Sequence, residues 1–351
     1  MDYWLVGAGG IGCSIGGPLA LRRDVLIVDR WADHVRAINE GGLRVSFPGG
    51  DIHVRTPALT WDELGDDVAV PSAVLLAVKS IETRQACAML AAVLPPGVPV
   101  VSLQNGLNEE TISDILGPER TIGAVCVFGG SVVAPGHTRS TSRSGELIIG
   151  ELDGRMSDRL RRLRQDLSRS VEVTVVENIW GQLWSKLILN TMINAISGVT
   201  SLSMAAFAER PVALALAVAV GAEGIRVAGA ADVQVDADYL LGYSTDDFLE
   251  PIGSPTRRRI EASFREYYLR YPTAMPSMWQ DVMTGRRSEI DEINGYVAQV
   301  GDRVGVPTPL NDALVAWMRE VDGGSRTPDP TVVDKEFAEL MESVHGYPTY
   351  A

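Results

Sequence analysis

A glycine-rich turn near the start of the chain constrains the fold more than any other feature. Residues 7–12 read Gly-Ala-Gly-Gly-Ile-Gly, directly after the apolar run Trp4-Leu5-Val6 and at the start of a helix-like stretch. In the Gly-x-Gly-x-x-Gly pattern the first glycine permits a tight turn, the second lets a pyrophosphate approach the backbone, and the third lets the helix pack closely on the strand. The phosphates then lie at the helix N-terminus, where free N–H groups and the helix dipole favour negative charge. The sequence therefore predicts a dinucleotide site with the loop residues Gly7, Gly9, Gly10, Ile11 and Gly12.

The next strand-like run ends at Asp29, which bears on the choice of dinucleotide. A carboxylate at this position can hydrogen-bond the adenosine ribose hydroxyls and favour NAD. Arg30 follows at once and can instead bind the 2′-phosphate of NADP. Because a carboxylate repels that phosphate at close range, Asp29 favours NADH, and NADPH remains open.

Strand-like and helix-like runs alternate through the first half of the chain, which is typical of a parallel sheet with crossover helices. The strand-like runs are residues 3–6, 25–28, 74–78, 98–103, 121–127, 147–149 and 172–176, and the helix-like runs include 11–21, 34–39 and 81–94. After Glu177 helix-like runs dominate, at residues 179–196, 211–228, 277–284, 289–304 and 310–321. The sequence thus predicts two domains with a boundary between residues 170 and 178.

Charge and composition narrow the classes of partner. A formal net charge of −14 disfavours nucleic acid and anionic membranes, although a local pocket can still bind a small anion. Residues 1–4 enter a strand without a basic segment, so no secretion signal is predicted, and the most apolar stretch, residues 212–222, is too short to span a bilayer. Cys13, Cys87 and Cys126 lack metal-ligand spacing. We expect a reduced, cytoplasmic protein without a metal site.

Lysine is nearly absent, and two of the three lysines lie in settings that indicate a function. The chain has 31 basic residues, of which only Lys79, Lys186 and Lys335 are lysines. Lysine can give up a proton when buried, whereas arginine stays charged. Lys79 follows a buried-strand pattern at residues 73–78, and Gln104-Asn105-Gly106 follows the next strand-like run. Ligands of open α/β sheets bind at such carboxyl ends of strands.

Lys186, Asn190 and Asn194 recur every four residues on a helix-like run that otherwise carries Trp, Leu, Ile and Met. Side chains with this spacing lie on one face of a helix. A polar stripe among large apolar neighbours must be satisfied by protein, water or a ligand, so it is either a structural network or a binding site. The later acidic run at residues 288–294, taken alone, is typical of a solvent-facing helix start.

Together these motifs resemble those of the ketopantoate reductase (2-dehydropantoate 2-reductase) family, NADPH-dependent enzymes of pantothenate biosynthesis. The resemblance extends to about residue 320 and includes the glycine loop, Lys79, Gln104-Asn105-Gly106, Trp184-Ser185-Lys186, Asn190, Asn194, Ser277-Met278-x-Gln280-Asp281, Glu289-Ile290-Asp291 and Ile293-Asn294-Gly295. It implies an α/β Rossmann-type dinucleotide-binding domain at residues 1–175. An all-α C-terminal domain, similar to that of 6-phosphogluconate dehydrogenase, would follow at residues 176–351. A homodimer is a further expectation.

The resemblance also implies roles for individual residues. Lys186 would be the general acid that protonates the developing alkoxide as hydride reaches the keto carbon of an anionic 2-oxo acid, a task that suits an ammonium group. Glu289 and Asn105 would be catalytic residues beside Lys186, and Glu289 would orient the hydroxyl end of the substrate. Lys79 and Asn105 would line the nicotinamide end. The substrate's carboxylate and hydroxyl groups would be held by Asn190, Asn194 and Ser277.

The chain departs from the family pattern in three respects. Asp29 stands where an apolar or small residue is usual, the segment at residues 271–275 lacks a common asparagine, and surplus residues lie at 229–271 and 322–351. The tail includes an amphipathic helix with Val333, Phe337, Leu340, Met341 and Val344 on one side. The alternatives left open are an NAD-dependent D-2-hydroxyacid dehydrogenase, an opine- or 3-hydroxyacid-type dehydrogenase, and a dinucleotide-sensing interaction protein without turnover.

Overall fold

The computed structural model describes residues 1–65, 67–143, 145–271 and 275–345, and the chain forms two compact units, Met1–Leu183 and Trp184–Ala351. The expected boundary lay at residues 175 and 176, whereas the two units divide inside a helix that begins at Ile179. A Cβ atom added at Gly123 or at Gly150 would lie 2.7 Å from the Ile179 side chain. The first turns of this helix therefore pack on the first unit, which explains the later division.

The first unit contains two sheets. Its strands are β1 (Tyr3–Val6), β2 (Val25–Val28), β3 (Leu43–Phe47), β4 (Gly50–Val54), β5 (Ala58–Leu59), β6 (Ala73–Leu76), β7 (Val100–Ser102), β8 (Thr121–Cys126), β9 (Gly130–Ala134), β10 (His137–Ser140), β11 (Glu146–Glu151) and β12 (Glu172–Val175). Eight of them form one sheet in the order β12-β11-β8-β7-β6-β1-β2-β5, in which only the β8–β11 pair is antiparallel among the described strands. The predicted α/β Rossmann-type class is confirmed.

The central strands form because their sequences are continuous apolar runs. Residues 25–28 read Val-Leu-Ile-Val and residues 73–76 read Ala-Val-Leu-Leu, and every one of these side chains is buried. Such runs suit parallel strands that are covered by helices on both faces. Their carboxyl ends lie at one edge of the sheet, because β1, β2, β6 and β7 are parallel and in register.

The second sheet, in the order β4-β3-β10-β9, was not predicted from the sequence. Its strands are partly exposed and mix apolar with polar residues, as in the Gly-Asp-Ile-His-Val of β4. They therefore lack the continuous apolar runs on which the strand predictions depended. The short strand β5 was missed as well.

Fourteen α-helices are found among the described residues. Those of the first unit are α1 (Gly10–Ala20), α2 (Ala32–Gly41), α3 (Thr83–Val93), α4 (Glu109–Leu116) and α5 (Asp158–Leu167), and α6 (Ile179–Thr200) enters the second unit. The others are α7 (Met204–Ala208), α8 (Pro211–Ala230), α9 (Thr245–Leu249), α10 (Pro255–Arg270), α11 (Ser277–Met283), α12 (Asn294–Val304), α13 (Pro309–Asp322) and α14 (Ala338–His345). The predicted helical second unit is confirmed. Helices α4, α5, α7, α9 and α10 were not among the predicted runs.

Two sequence expectations for the second unit need correction. Helix α8 has 20 residues, so the apolar stretch is longer than the predicted 212–222, and by length and composition alone it could cross a membrane. However, 83% of its most apolar window is buried inside the protein, as in a core helix. In the tail, Val333, Phe337 and Met341 are buried, and the predicted amphipathic helix is a π-helical turn at Val333–Phe337 that continues into α14.

A buried carboxylate holds α13 against α8. The two oxygens of Glu223 on α8 accept hydrogen bonds from the backbone N–H groups of Leu310 and Asn311, each at 3.0 Å. These N–H groups belong to the first turn of α13, where no intrahelical acceptor exists and negative charge is favoured. The Asn311 amide also donates to Glu223 at 2.8 Å. Glu223 therefore caps a helix other than its own.

We expect Glu223→Gln to destabilise the second unit by about 2 kcal/mol, because an amide N–H would face backbone N–H donors in a buried setting. The free energy of unfolding, measured by urea denaturation, should fall by this amount. Its dependence on urea concentration should stay the same. Glu339→Gln on the exposed surface of α14 is the matched control and should unfold like the parent protein. Equal stability of the two variants would contradict the role of Glu223.

Candidate functional site

The glycine loop between β1 and α1 has the geometry that a dinucleotide requires. Gly7 adopts a φ of +99°, and a Cβ atom there would lie 2.6 Å from the Ala77 backbone. A Cβ atom at Gly12 would overlap the Gly7 carbonyl oxygen. At Gly9, by contrast, no described heavy atom lies within 4 Å of an added Cβ. The loop is therefore tightly packed at Gly7 and Gly12, where α1 meets β1. It leaves space at Gly9, the position at which a pyrophosphate approaches the backbone in this motif.

The other predicted loop residues also lie at this turn. Gly10 begins α1, and a Cβ atom there would overlap the backbone of Gly130 at the start of β9. Ile11 is half-buried on the first turn of α1 and packs against the core of the first unit. The second sheet therefore fixes the N-terminal end of α1, which is the end that would receive the phosphates.

Three side chains hold the Ala8 peptide of the loop. Its N–H donates to Asp29 Oδ2 at 2.6 Å, and its carbonyl oxygen accepts from Cys13 Sγ at 3.2 Å and contacts His34 Nε2 at 3.1 Å. The Gly136 N–H donates to His34 Nδ1, so Nε2 carries the proton that is donated to Ala8. Burial lowers the pKa of His34 and raises the pKa of the Cys13 thiol. Both groups therefore stay neutral hydrogen-bond donors to the loop near neutral pH.

Asp29 has a structural task that the sequence did not predict. Its two oxygens accept from the N–H groups of Ala8 and of Trp31, the latter at 2.8 Å. Each carboxylate oxygen has a second lone pair, so the Asp29 side chain can still accept a ribose hydroxyl. Arg30 lies next to it with an exposed side chain and forms an ion pair with Glu82. Burial raises the pKa of Glu82, and the Arg30 charge opposes that rise.

Lys79 and Asn105 follow the carboxyl ends of the neighbouring strands β6 and β7. These strands are paired in parallel, with Leu76 opposite Ser102, so the two turns are adjacent. Both side chains are half-buried. The Ser80 hydroxyl donates to the Asn105 carbonyl oxygen at 2.6 Å and thereby ties one turn to the other.

A polar network behind these two turns fixes their shape. Gln104 Nε2 donates to the Val78 carbonyl at 3.0 Å and to Thr83 Oγ1 at 2.7 Å, and Thr83 donates to Asn108 Oδ1 at 2.8 Å. All of these side chains are buried. The neighbouring Glu109 is also buried, and burial raises its pKa to about 7. The network fixes the two turns that carry Lys79 and Asn105.

In the second unit, Lys186, Asn190 and Asn194 lie along one face of α6, as their spacing predicts. Lys186 is half-buried, and the two asparagines are buried, with 8% and 7% of their surfaces exposed. The Asn190 Nδ2 amide is buried and has no hydrogen-bond partner among the described residues. Ser185, the neighbour of Lys186, accepts the Asp236 N–H at 2.7 Å, which is a structural contact.

Ser277 and Glu289 lie on segments that contact α6. Ser277 is the first residue of α11, and its hydroxyl is buried and without a partner in the described parts of the chain. The adjacent Met278 packs on α6, since a Cβ atom at Gly198 would lie 3.3 Å from it. The positions just before Ser277, at 272–274, lie outside the described residues, so the departure from the family pattern noted there has no structural account.

The sequence prediction that Glu289 lies at a solvent-facing helix start is wrong. Helix α12 begins at Asn294 instead of residue 289, and Glu289 lies in the preceding turn with only 4% of its surface exposed. The turn is held from one side by Ser288, whose hydroxyl donates to Asp322 at 2.7 Å. From the other side, Asn294 Nδ2 donates to the Thr191 carbonyl of α6 at 3.4 Å. The turn that carries Glu289 therefore lies beside α6.

Sequence reasoning missed the residues that support the site. Glu82 follows Lys79 by three positions, but nothing in the sequence shows that it pairs with Arg30 across the sheet edge. His34 and Trp31 were missed too, although the Trp31 ring is 42% exposed and stacks on His34 with ring centres 5.3 Å apart. In the second unit, Glu292 is half-buried near Glu289 and Asp291, and burial raises its pKa.

The chain matches known proteins over most of its length. The family model described as "Ketopantoate reductase PanE/ApbA" matches residues 3–154, and "Ketopantoate reductase PanE/ApbA C terminal" matches residues 178–322. The 2-dehydropantoate 2-reductase of Pyrococcus horikoshii is 30% identical over 334 residues, which cover 93% of this chain and all of the relative. That of Pyrococcus abyssi is 31% identical over 320 residues, with 90% and 96% covered.

Solved structures show the same fold. A PanE/ApbA family ketopantoate reductase from Ralstonia eutropha is 30% identical and has a TM-score of 0.77. The match covers 93% of this chain and all of that chain. The ternary structure of D-mandelate dehydrogenase with NADH and anilino(oxo)acetate has a TM-score of 0.80 at 22% identity, with 92% of this chain and 99% of that chain covered.

The open space at Gly9 gives a direct test of the dinucleotide site. Gly9 has a φ of −72°, so Gly9→Ala should fold with an unchanged melting temperature. The new methyl group would occupy the space in which a pyrophosphate approaches, and we expect NADH affinity to fall at least tenfold, or by about 1.4 kcal/mol. Fluorescence titration and thermal unfolding measure the two quantities.

Gly12→Ala is the contrasting variant, since its methyl group would overlap the Gly7 carbonyl oxygen. It should lower the melting temperature even without NADH. Undiminished NADH binding by Gly9→Ala would show that the loop does not hold the pyrophosphate.

Proposed function

Because the chain belongs to the ketopantoate reductase family, we propose that it reduces a 2-oxo acid of the ketopantoate type to the 2-hydroxy acid with NADH. The relatives with at least 30% identity that are named above carry the name 2-dehydropantoate 2-reductase, which makes ketopantoate the first substrate to test. The observation that carries the chemical part of the proposal is the stripe of Lys186, Asn190 and Asn194 on α6. It places one ammonium group and two amides on a single face of a largely apolar helix.

Lys186 is the proposed general acid. When bound, the reduced nicotinamide supplies the hydride that adds to the keto carbon. The Lys186 ammonium group hydrogen-bonds the keto oxygen, stabilises the negative charge that develops there and donates one proton to it. The amine that remains takes a proton from solvent, which restores the acid for the next turnover.

Asn190, Asn194 and Ser277 are the proposed ligands of the substrate's carboxylate and hydroxyl groups. The buried Nδ2 amide of Asn190 and the buried hydroxyl of Ser277 each lack a hydrogen-bond partner within the described residues. Unsatisfied buried donors cost free energy, which an oxygen-rich ligand would offset. Glu289, held in its turn beside α6, is the proposed acceptor for the substrate's hydroxyl group. In the first unit, Lys79 and Asn105 are the proposed neighbours of the nicotinamide.

The preference for NADH rests on the charges around Arg30. Asp29 and Glu82 place two carboxylates beside Arg30, the guanidinium group proposed to bind a 2′-phosphate, and Glu82 already pairs with it. A 2′-phosphate would have to displace Glu82 and remain near Asp29. The NADH ribose hydroxyls, by contrast, can donate to Asp29. Trp31, exposed and directly after Arg30, offers an aromatic face for the adenine.

The homodimer is a proposal that rests on family resemblance alone. Sedimentation equilibrium of the purified protein tests it, and a monomer at all concentrations would exclude it.

Replacing Lys186 tests the mechanism. We expect Lys186→Ala to lower kcat for ketopantoate by a general-acid factor of roughly 10²–10⁴ while NADH affinity stays the same. Lys186→Arg should lower kcat to a similar extent, because a guanidinium group keeps the charge but does not release the proton. Steady-state kinetics and NADH fluorescence give the two readouts.

Lys335→Ala removes an exposed lysine from the tail and is the matched control, with parent activity expected. Normal turnover by Lys186→Ala would refute the general-acid assignment. Inactivity of the parent protein on ketopantoate, with activity on another 2-oxo acid, would correct the substrate and leave the mechanism standing. Absence of turnover on any 2-oxo acid would favour a dinucleotide-binding protein without catalysis.

Replacing Glu82 tests the cofactor preference. The parent protein should bind NADH more tightly than NADPH. Glu82→Gln frees Arg30 from its ion pair, and we expect NADPH affinity to rise about tenfold, which corresponds to about 1.4 kcal/mol, with little change for NADH. Glu40→Gln on the exposed face of α2 should change neither affinity. NADPH preference in the parent protein, or no effect of Glu82→Gln, would overturn the assignment.

A further inference from the structure

One arginine of the second unit is buried without a counter-charge in contact. Arg257 lies in the first turn of α10 with 1% of its surface exposed. Its Nη1 donates to the Phe248 carbonyl in the last turn of α9. Its Nε and Nη2 are buried and have no hydrogen-bond partner among the described residues, and no ion pair of Arg257 is found there. A buried guanidinium group with unpaired N–H bonds costs several kcal/mol, on the order of a broken buried ion pair.

The two unpaired nitrogens are the pair that recognises oxyanions. The Nε–H and one Nη2–H bond of a guanidinium group run parallel along one edge and match the two oxygens of a carboxylate or phosphate group. Because Nη1 is already bound to the Phe248 carbonyl, the Arg257 plane is fixed and this edge is presented in a single direction. Burial lowers the pKa of Arg257 to about 10, so the group is still charged at neutral pH.

A small cavity lies at Arg257. Its volume is about 100 Å³, and it is lined by Ala219, Ala222 and Arg226 of α8, by Leu249, Glu250, Pro251 and Ile252, and by Arg257. Arg226 adds a second positive charge, and its exposed position makes it the entrance side of the cavity. Glu250 is also exposed, so water screens its charge at the rim.

Glu261 is the internal group that could compete for the same edge. It lies one helical turn after Arg257 on α10, and its charge interacts with that of Arg257. However, Glu261 is not part of the cavity lining, and its Oε1 is buried without a hydrogen bond within the described residues. Burial raises the pKa of Glu261, and the charges of Arg257 and Arg258 oppose that rise. Because it makes no hydrogen bond there, Glu261 leaves the Nε and Nη2 edge of Arg257 open.

We propose that this cavity binds a small oxyanion, a carboxylate or phosphate group, held by Nε and Nη2 of Arg257 and by Arg226. Such an anion completes the hydrogen bonds of the buried guanidinium group. It also links α8 to the segment between α9 and α10, because the two arginines come from these different elements. The site belongs to the second unit and is independent of the proposed reductase activity.

Anion titrations of the full chain test the proposal. Inorganic phosphate and acetate, added separately at constant ionic strength, should bind saturably and raise the melting temperature of the parent protein, and the tighter of the two identifies the group. Arg226→Gln, an exposed substitution that should fold normally, is expected to weaken this binding about tenfold. Arg257→Gln should abolish it. Arg258→Gln, the exposed neighbour on α10, is the matched control and should bind like the parent protein.

Selenate soaked into crystals provides a direct readout, with an anomalous peak expected within hydrogen-bond distance of Arg257 Nε and Nη2. Equal anion affinity in the parent protein and in Arg226→Gln and Arg257→Gln would overturn the proposal, since the anion would then bind elsewhere. The Glu261→Gln variant tests whether Glu261, rather than an anion, pairs with the Nε and Nη2 edge of Arg257. If that variant gains an anion affinity that the parent protein lacks, Glu261 fills the edge of Arg257 in solution and the proposal is wrong.

Discussion

The structure of the first unit depends on backbone contact at the glycine loop. Added Cβ atoms at Gly7 and Gly10 would collide with the backbone of other segments, namely the turn after β6 and the start of β9. One at Gly12 would overlap the Gly7 carbonyl oxygen within the loop. Only residues without side chains allow β1, α1 and both sheets to meet at this point. At Gly9, by contrast, no described heavy atom lies within 4 Å of an added Cβ. The packing that holds the loop together therefore leaves open the position proposed for the pyrophosphate.

Carboxylates that accept backbone N–H groups fix local structure in both units. Asp29 holds the Ala8 and Trp31 peptides, and Glu223 holds the first turn of α13. Such bonds are charge-assisted and therefore stronger than neutral ones. Asn311, which contacts Glu223, also accepts a hydrogen bond from Asn294 Nδ2 at 3.0 Å. The same Asn294 amide group donates to the Thr191 carbonyl oxygen on α6. In this way a buried glutamate on α8 is connected by hydrogen bonds to the turn of Glu289 and to the helix that carries Lys186.

The sequence predicted those parts of the fold in which one strong signal decides the local structure. The predicted strands β1, β2 and β6 are observed, because burial on both faces of a sheet requires a continuous apolar run in the sequence. The predicted helix α6 is observed, because Lys186, Asn190 and Asn194 recur with helical periodicity. Strands such as β4 were missed because their stability comes from pairing with distant strands rather than from their own apolarity. The ion pair of Arg30 with Glu82 was missed for the same reason, since it joins residues that only the sheet brings together. Glu289 was placed in a helix because its acidic run looks like a helix start, whereas contacts to Asp322 and α6 hold it in a buried turn.

Several buried polar groups have no hydrogen-bond partner among the described residues, and they include both acceptors and donors. Glu109, Glu261 and Glu292 are acceptors, and burial raises the pKa of each, so a proton can relieve the cost of an unpaired oxygen. Asn190 Nδ2, Ser277 Oγ and the Nε and Nη2 groups of Arg257 are donors. A donor gains nothing from an added proton, and arginine in particular does not lose one at physiological pH. An oxyanion is an acceptor that would suit each of these three groups. The same physical argument therefore supports a carboxylate substrate at α6 and a second oxyanion at Arg257, although the two sites share no residue.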